Sequence, residues 1–180
     1  MQKWELFSRG ERQKKTFNRV IFVDPGLGGT GWAYWEEVCN VPHFPTRPSE
    51  TGVIKGNNKS GWENKSSEIN SQFAGVLNNL NVERVCIEWP AIFNTGLSHA
   101  SASRGDLFKL VYVIGGLGEV SQTVTNRKPL LFSPSDWKGQ LPKEVVIRRI
   151  KKIFPMMLRI RNHEGDAIGM GLAAQGALTK

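Results

Sequence analysis

The chain has 180 residues and a mass of 20.1 kDa, one domain's worth of sequence, which is enough to enclose a core without disulfides or a structural metal. Hydrophobic residues make up 39% and charged residues 22%, a globular composition that excludes wholesale disorder. The net charge of +8 is unevenly spread: residues 1–20 hold six basic and two acidic groups, residues 127–161 ten and two, and residues 21–126 seven and ten, so basic flanks enclose an acidic middle.

Residues 1–18 are a basic extension that alternates charge with bulk and contains no apolar signal core, so nothing marks the chain for export and a cytoplasmic location is expected. Arg12, Lys14 and Lys15 there are either an arm that contacts a polyanion or a solubilising tail. The main domain spans 19–180. Val20-Ile21-Phe22-Val23 reads as a strand buried on both faces and ends in Asp24. The turn Pro25–Thr30 leads into a returning strand, Gly31–Glu36, and Glu50–Lys55 reads as a third strand of a meander. Ile69, Phe73, Val76, Leu77 and Leu80 recur at helical spacing and predict a helix over 66–80. Val82–Ile87 repeats the buried-strand pattern and ends in Glu88. Further helices are expected over about 98–120, 143–154 and 163–178, with a fifth strand over 129–133. The order βββαβαβαα predicts an α/β fold, a mixed five-stranded sheet flanked by helices. The longest unbroken apolar run, Leu110 to Gly118, is far short of the roughly 18 residues of a membrane span. Cys39 and Cys86 make neither a disulfide framework nor a paired zinc knuckle.

Gly26-Leu27-Gly28-Gly29-Thr30-Gly31 satisfies G-x-G-x-x-G after a strand. A dinucleotide site needs a helix to open at those glycines, whereas Trp32-Ala33-Tyr34-Trp35 favours a strand. The glycines are read as a permissive turn beside a close-approaching ligand.

Asp24 and Glu88 each follow an apolar, β-branched run and stand at or near a proline. Either alone is readily a turn-initiating acid. Together, on adjacent parallel strands, they would lie at one sheet edge, where α/β proteins usually bind ligands. His163 and Asp166 open the last helix at spacing i, i+3 and project from one face, although an acid there also serves as a cap. The small residues Ala167, Gly169, Gly171, Ala173 and Ala174 would let this helix lie close to the sheet. Such carboxylates suit Mg²⁺, and two ions roughly 3.5–4 Å apart activate water and stabilise a leaving oxygen in phosphodiester hydrolysis.

Val23-Asp24-Pro25-Gly26 with Thr30-Gly31, then Cys86-Ile87-Glu88, then His163-x-x-Asp166-Ala167 resemble the RuvC family of Holliday junction resolvases over residues 19–176, nearly the whole chain. The compact chain and its short lysine loop resemble a viral or phage version more than a bacterial housekeeping one. The resemblance implies a ribonuclease H-like fold and a homodimer that nicks two opposed strands of a four-way junction. The enzyme would be a crossover junction endodeoxyribonuclease of recombination and repair, leaving 5′-phosphate and 3′-hydroxyl ends. It implies that Asp24, Glu88, His163 and Asp166 hold two Mg²⁺ ions, with Mn²⁺ as a substitute, and that Lys138 and Lys143 contact the scissile phosphate. The stretch Trp89 to Asn94 occupies the place of an aromatic wedge, in which Phe93 or Trp89 either stacks on an unpaired base or packs in the core. Arg148, Arg149, Lys151 and Lys152 follow on the next helix and either contact the DNA backbone or form a solvated face. Leu107, Leu110, Val111, Ile114 and Leu117 form a stripe that serves as core or as the dimer seam. A ribonuclease H or flap nuclease on the same fold, or a non-catalytic branched-DNA-binding module, are the rival readings.

Overall fold

Five strands form the sheet: β1 (Thr16–Asp24), β2 (Thr30–Cys39), β3 (Glu50–Ile54), β4 (Arg84–Glu88) and β5 (Leu130–Phe132). Among the described residues five helices accompany them: α1 (Trp62–Asn79), α2 (Asp106–Thr125), α3 (Pro134–Trp137), α4 (Lys143–Ile153) and α5 (Asn162–Ala174). The computed structural model describes residues 16–39, 45–57, 59–90, 105–139, 141–157 and 159–178. Strand order is β3-β2-β1-β4-β5, with the first three strands an antiparallel meander and β4 and β5 parallel to β1. The expected mixed sheet is therefore present.

The two-residue period of a strand divides the core into two layers. Val20 and Phe22 of β1, with Trp35, Cys86 and Phe132, pack against Val146 and Ile150 of α4 and Ile168, Met170 and Leu172 of α5. Ile21 and Val23, with Val85 and Ile87, pack against Ile69, Phe73 and Leu77 of α1 and Val113, Ile114 and Leu117 of α2. Burial on both sides explains why β1 and β4 read as continuous apolar runs. Cys86, one of the two cysteines, is a buried free thiol in the first layer.

Several boundaries differ from the sequence expectation. Strand β1 starts at Thr16, four residues before Val20, because its outer part pairs with the far end of β2. Helix α1 starts at Trp62, where Gly61 is its N-cap. Helix α2 begins at Asp106, the stretch 98–104 lying outside the described residues, and continues to Thr125. The polar residues beyond the expected end are accommodated within it: Ser121 Oγ donates to the Leu117 carbonyl at 2.6 Å and Thr125 Oγ1 to that of Ser121 at 2.7 Å. Asn126 then stops the helix in the left-handed region at φ 53°. Helix α5 ends at Ala174, short of Leu178, because Gly176 takes φ 73° and Ala177 N–H turns back to the Leu172 carbonyl at 2.9 Å.

The short helix α3 was not expected, so among the described residues the order is βββαβαβααα. Its cap is local chemistry: Asp136 Oδ2 accepts from the Ser133 backbone N–H at 2.7 Å and its hydroxyl at 2.8 Å, with Pro134 at the first helical position. Four residues are too few to show a helical period, but Ser-Pro-Ser-Asp carries the cap signature.

Candidate active site

Parallel pairing sets Val23 opposite Ile87, so the next residues, Asp24 and Glu88, leave β1 and β4 at the same sheet edge. Strand alternation puts both on the layer of Phe22 and Cys86, the side covered by α5. The first turn of α5 completes the cluster. It rests on Gly31 of β2, the residue paired with Asp24; a Cβ at Gly31 would collide with the backbone of His163 and Glu164. Only glycine permits that approach, and its consequence is a hydrogen bond from His163 Nδ1 to Asp24 Oδ2 at 2.7 Å. Two further contacts tie the helix start down. Glu164 Oε1 accepts from Thr51 Oγ1 of β3 at 2.5 Å, and its Oε2 accepts from the Arg161 backbone N–H at 3.1 Å.

The turn between β1 and β2 is closed by Thr30. Its Oγ1 donates to the Gly26 carbonyl at 3.1 Å and accepts from the Gly26 N–H at 3.3 Å. A Cβ on Gly26 would stand 3.0 Å from His163 Cε1, so this glycine also makes room for the imidazole. The G-x-G-x-x-G stretch is thus a strand-to-strand turn beside the cluster, as the aromatic β2 sequence implied.

The remaining acids have separate partners. Asp166, 5% exposed, is met by Lys143 Nζ at 2.8 Å on Oδ2 and by Lys138 Nζ at 3.8 Å on Oδ1. Its Oδ1 is buried and, among the described residues, accepts no hydrogen bond. Glu88 Oε2 accepts from the Trp137 indole N–H at 2.9 Å, and the Lys138 ammonium lies 4.6 Å from the Trp137 ring centre. Nothing in the sequence assigned Trp137 a role. The only available signal was a tryptophan directly before the expected lysine and directly after a helix cap.

Burial governs the electrostatics. It raises the Asp24 carboxyl above its ordinary range, against the pull of the His163 hydrogen bond. Burial, seconded by the charge of Asp24, pushes Glu88 up to about 7. The hydrogen bond to Asp24 raises His163. Asp24 and Asp166 both act on Glu88, which puts the three carboxylates within electrostatic reach of one another. They form the single acidic cluster expected at this edge, with His163 and both lysines in contact with it.

Among the described residues, no three His, Cys, Asp or Glu side chains surround one point as the ligands of an ion. Asp24 faces His163, Asp166 faces the lysines and Glu88 faces Trp137. The chemistry of the donor set nevertheless fits a hard divalent cation. It offers three desolvated, mutually repelling carboxylates, one of which presents a buried oxygen that accepts no hydrogen bond.

Trp89, next to Glu88, is 40% exposed and its backbone N–H donates to the Phe132 carbonyl at 2.6 Å. Phe93, Arg12, Lys14 and Lys15 lie outside the described residues. On α4, Val146 and Ile150 are buried while Arg148, Lys151 and Lys152 are exposed; Arg149 is half-buried. The stripe on α2 divides. Ile114 and Leu117 belong to the core and Leu110 packs against it, whereas Val111 is exposed together with Phe108 and Tyr112.

No protein-family model matches the sequence, and no curated protein sequence is significantly similar to it. Solved structures are similar in fold. RuvC of T. thermophilus in complex with a Holliday junction substrate matches over 87% of this chain and 92% of its own, with 16% identity and a TM-score of 0.65. Thermus thermophilus RuvC alone matches over 86% and 91%, with 17% identity and a TM-score of 0.61. The yeast mitochondrial Holliday junction resolvase matches over 89% and 78%, with 14% identity and a TM-score of 0.55. The chain shares the α/β fold of these RuvC and resolvase structures.

Proposed function

We propose that this protein is a divalent-metal-dependent endonuclease that resolves four-way DNA junctions in the cytoplasm of the cell in which it acts. The observation that carries the reading is the convergence of Asp24, Glu88, His163 and Asp166 at one sheet edge of a fold shared with a RuvC that is bound to a Holliday junction.

Asp24, Glu88, His163 and Asp166 are the residues that would hold two Mg²⁺ ions, or Mn²⁺ in their place. Such ions acidify the attacking water and offset charge on the leaving oxygen. The chain's own groups do the rest. With Nδ1–H donated to Asp24, the imidazole of His163 keeps Nε2 as its one basic nitrogen, which would either hold an ion or orient the attacking water. Lys138 and Lys143, already drawn to Asp166, offer two ammonium groups to the scissile phosphate as negative charge develops on it. Trp89 supplies a partly exposed ring for stacking on an unpaired base, and Arg148, Lys151 and Lys152 an exposed basic face for backbone phosphates. Paired nicking of opposed strands needs two sites, hence a homodimer. Its seam is the exposed apolar face of α2 formed by Phe108, Val111 and Tyr112, not the Ile114 and Leu117 side that the core occupies.

The test is a nicking assay on a fixed four-way junction with Mg²⁺, with and without chelator, alongside a flap and an RNA–DNA hybrid. The expected result is chelator-sensitive, paired, ligatable nicks in the junction only. Asp24→Asn abolishes nicking and retains junction binding in a gel-shift assay. Nicking at the wild-type rate by that variant refutes the assignment, and preferential cleavage of the flap or the hybrid changes the substrate.

A further inference from the structure

Glu88 is a buried acid whose place depends on a residue from a different part of the chain. Among the described residues it makes one hydrogen bond, from the indole N–H of Trp137, 49 positions later. A carboxylate in such surroundings is costly unless a donor holds it, and an indole can only donate. The same ring has two other neighbours in the site. A Cβ on Gly169 would stand 2.6 Å from ring atom Cζ3 and 3.2 Å from Cη2, so the ring lies directly against α5. Gly169 follows Asp166 by three positions and shares its helix face. Lys138 places its ammonium over the ring and its Nζ 3.8 Å from Asp166.

The ring itself is held firmly. Trp137 is 2% exposed and is the last residue of α3, whose start is fixed by the Ser133 and Asp136 cap and whose end is closed by the Lys138 N–H on the Pro134 carbonyl at 3.0 Å. An aliphatic side chain would fill this part of the core. A hydrogen-bond donor aimed at an acid serves something beyond packing.

We propose that Trp137 is a positioning residue that orients the Glu88 carboxylate and sets the gap between the end of β4 and α5, so that Glu88 and Asp166 act on the same metal centre. This rests on the nuclease reading for the role of Glu88 and on the coordinates for the contact itself.

Two variants separate donor from spacer: Trp137→Phe keeps an aromatic ring and removes the N–H, whereas Gly169→Ala keeps the N–H and pushes the ring. In the metal-free protein, the indole N–H resonance that disappears in Trp137→Phe is expected to shift in Glu88→Gln. Mn²⁺ affinity, titrated without DNA, is expected to fall about 10- to 100-fold in Trp137→Phe and to fall in Gly169→Ala as well. Adding Trp137→Phe to Glu88→Gln should cause no further loss. In nicking assays, raised metal should restore kcat in Trp137→Phe while the KM for the junction stays unchanged. A folded Trp137→Phe protein that binds Mn²⁺ like the wild type overturns the proposal; if that variant does not fold, unchanged Mn²⁺ affinity in Gly169→Ala does so. Wild-type protein that binds no Mn²⁺ defeats the nuclease reading instead, and an indole resonance indifferent to Glu88→Gln then defeats the positioning role too.

Discussion

Glu88 illustrates how a single side chain sets folding against function. Its carboxyl titrates at about 7 in the folded chain against an ordinary 4.5, because burial and the Asp24 charge penalise the ionised form. Its folded value is the higher one, so the folded state gains stability from it fully below about pH 4.5 and loses that gain as pH rises through 7. The raised values of His163 and Asp24 act in the same direction. At about 1.4 kcal/mol per pK unit, the Glu88 contribution is on the order of a few kcal/mol. The melting temperature of the chelated protein is therefore expected to fall between pH 5 and pH 8, as followed by circular dichroism. Glu88→Gln should flatten that fall and melt several degrees above the wild type at pH 8. A wild-type melting temperature that rises over this interval contradicts the assignment. That Asp24 and Glu88 belonged together was legible, because an acid closing an apolar strand is conspicuous in one dimension. Their partners were not: the 2.9 Å bond from Trp137 and the close seat of His163 on Gly31 join residues with no shared pattern along the chain.

Helix α5 owes its position to what its neighbours lack. Gly31 leaves its Cβ place to the backbone of His163 and Glu164, Gly169 of α5 leaves its own to the Trp137 ring, and Gly171 to the ring of Trp35. Gly31→Ala is thus expected to destabilise the fold by about 1–3 kcal/mol in urea denaturation, as overpacking does. It should also lower nicking well beyond what the stability loss explains, because the displaced residues are those carrying His163. Unchanged stability and activity would mean that the helix can move aside. The small-residue pattern of α5 was readable as a close-packing helix, and the paired strands and α1 were readable from their periods. Element ends were read less well where polar residues are satisfied within the helix, as at Ser121 and Thr125, and α3 is too short for any period to register.

Across the whole molecule, the sheet order and both core layers follow from the alternation of apolar runs and helical stripes, so the architecture was largely legible. The face on α2 that remains outside the core was not. The period of Leu107, Leu110, Val111, Ile114 and Leu117 pointed to one stripe, and only the packing against α1 shows which side is already occupied. Phe108 is 75% exposed and Tyr112 55%, an apolar area that a monomer would leave in water. Tyr112→Glu is expected to convert a dimer into a monomer in analytical ultracentrifugation and to turn paired nicks into uncoupled single ones. A wild-type protein that sediments as a monomer at micromolar concentration removes the seam. Among the described residues no helix is long and apolar enough to cross a membrane.

The near-complete enclosure of α5, from Gly165 through Leu172, has a mechanical corollary. A rod wedged on every side cannot swing to greet a substrate. The lysine ammoniums that meet Asp166, by contrast, sit at the tips of long, jointed stems and can let go of it without disturbing a single backbone bond.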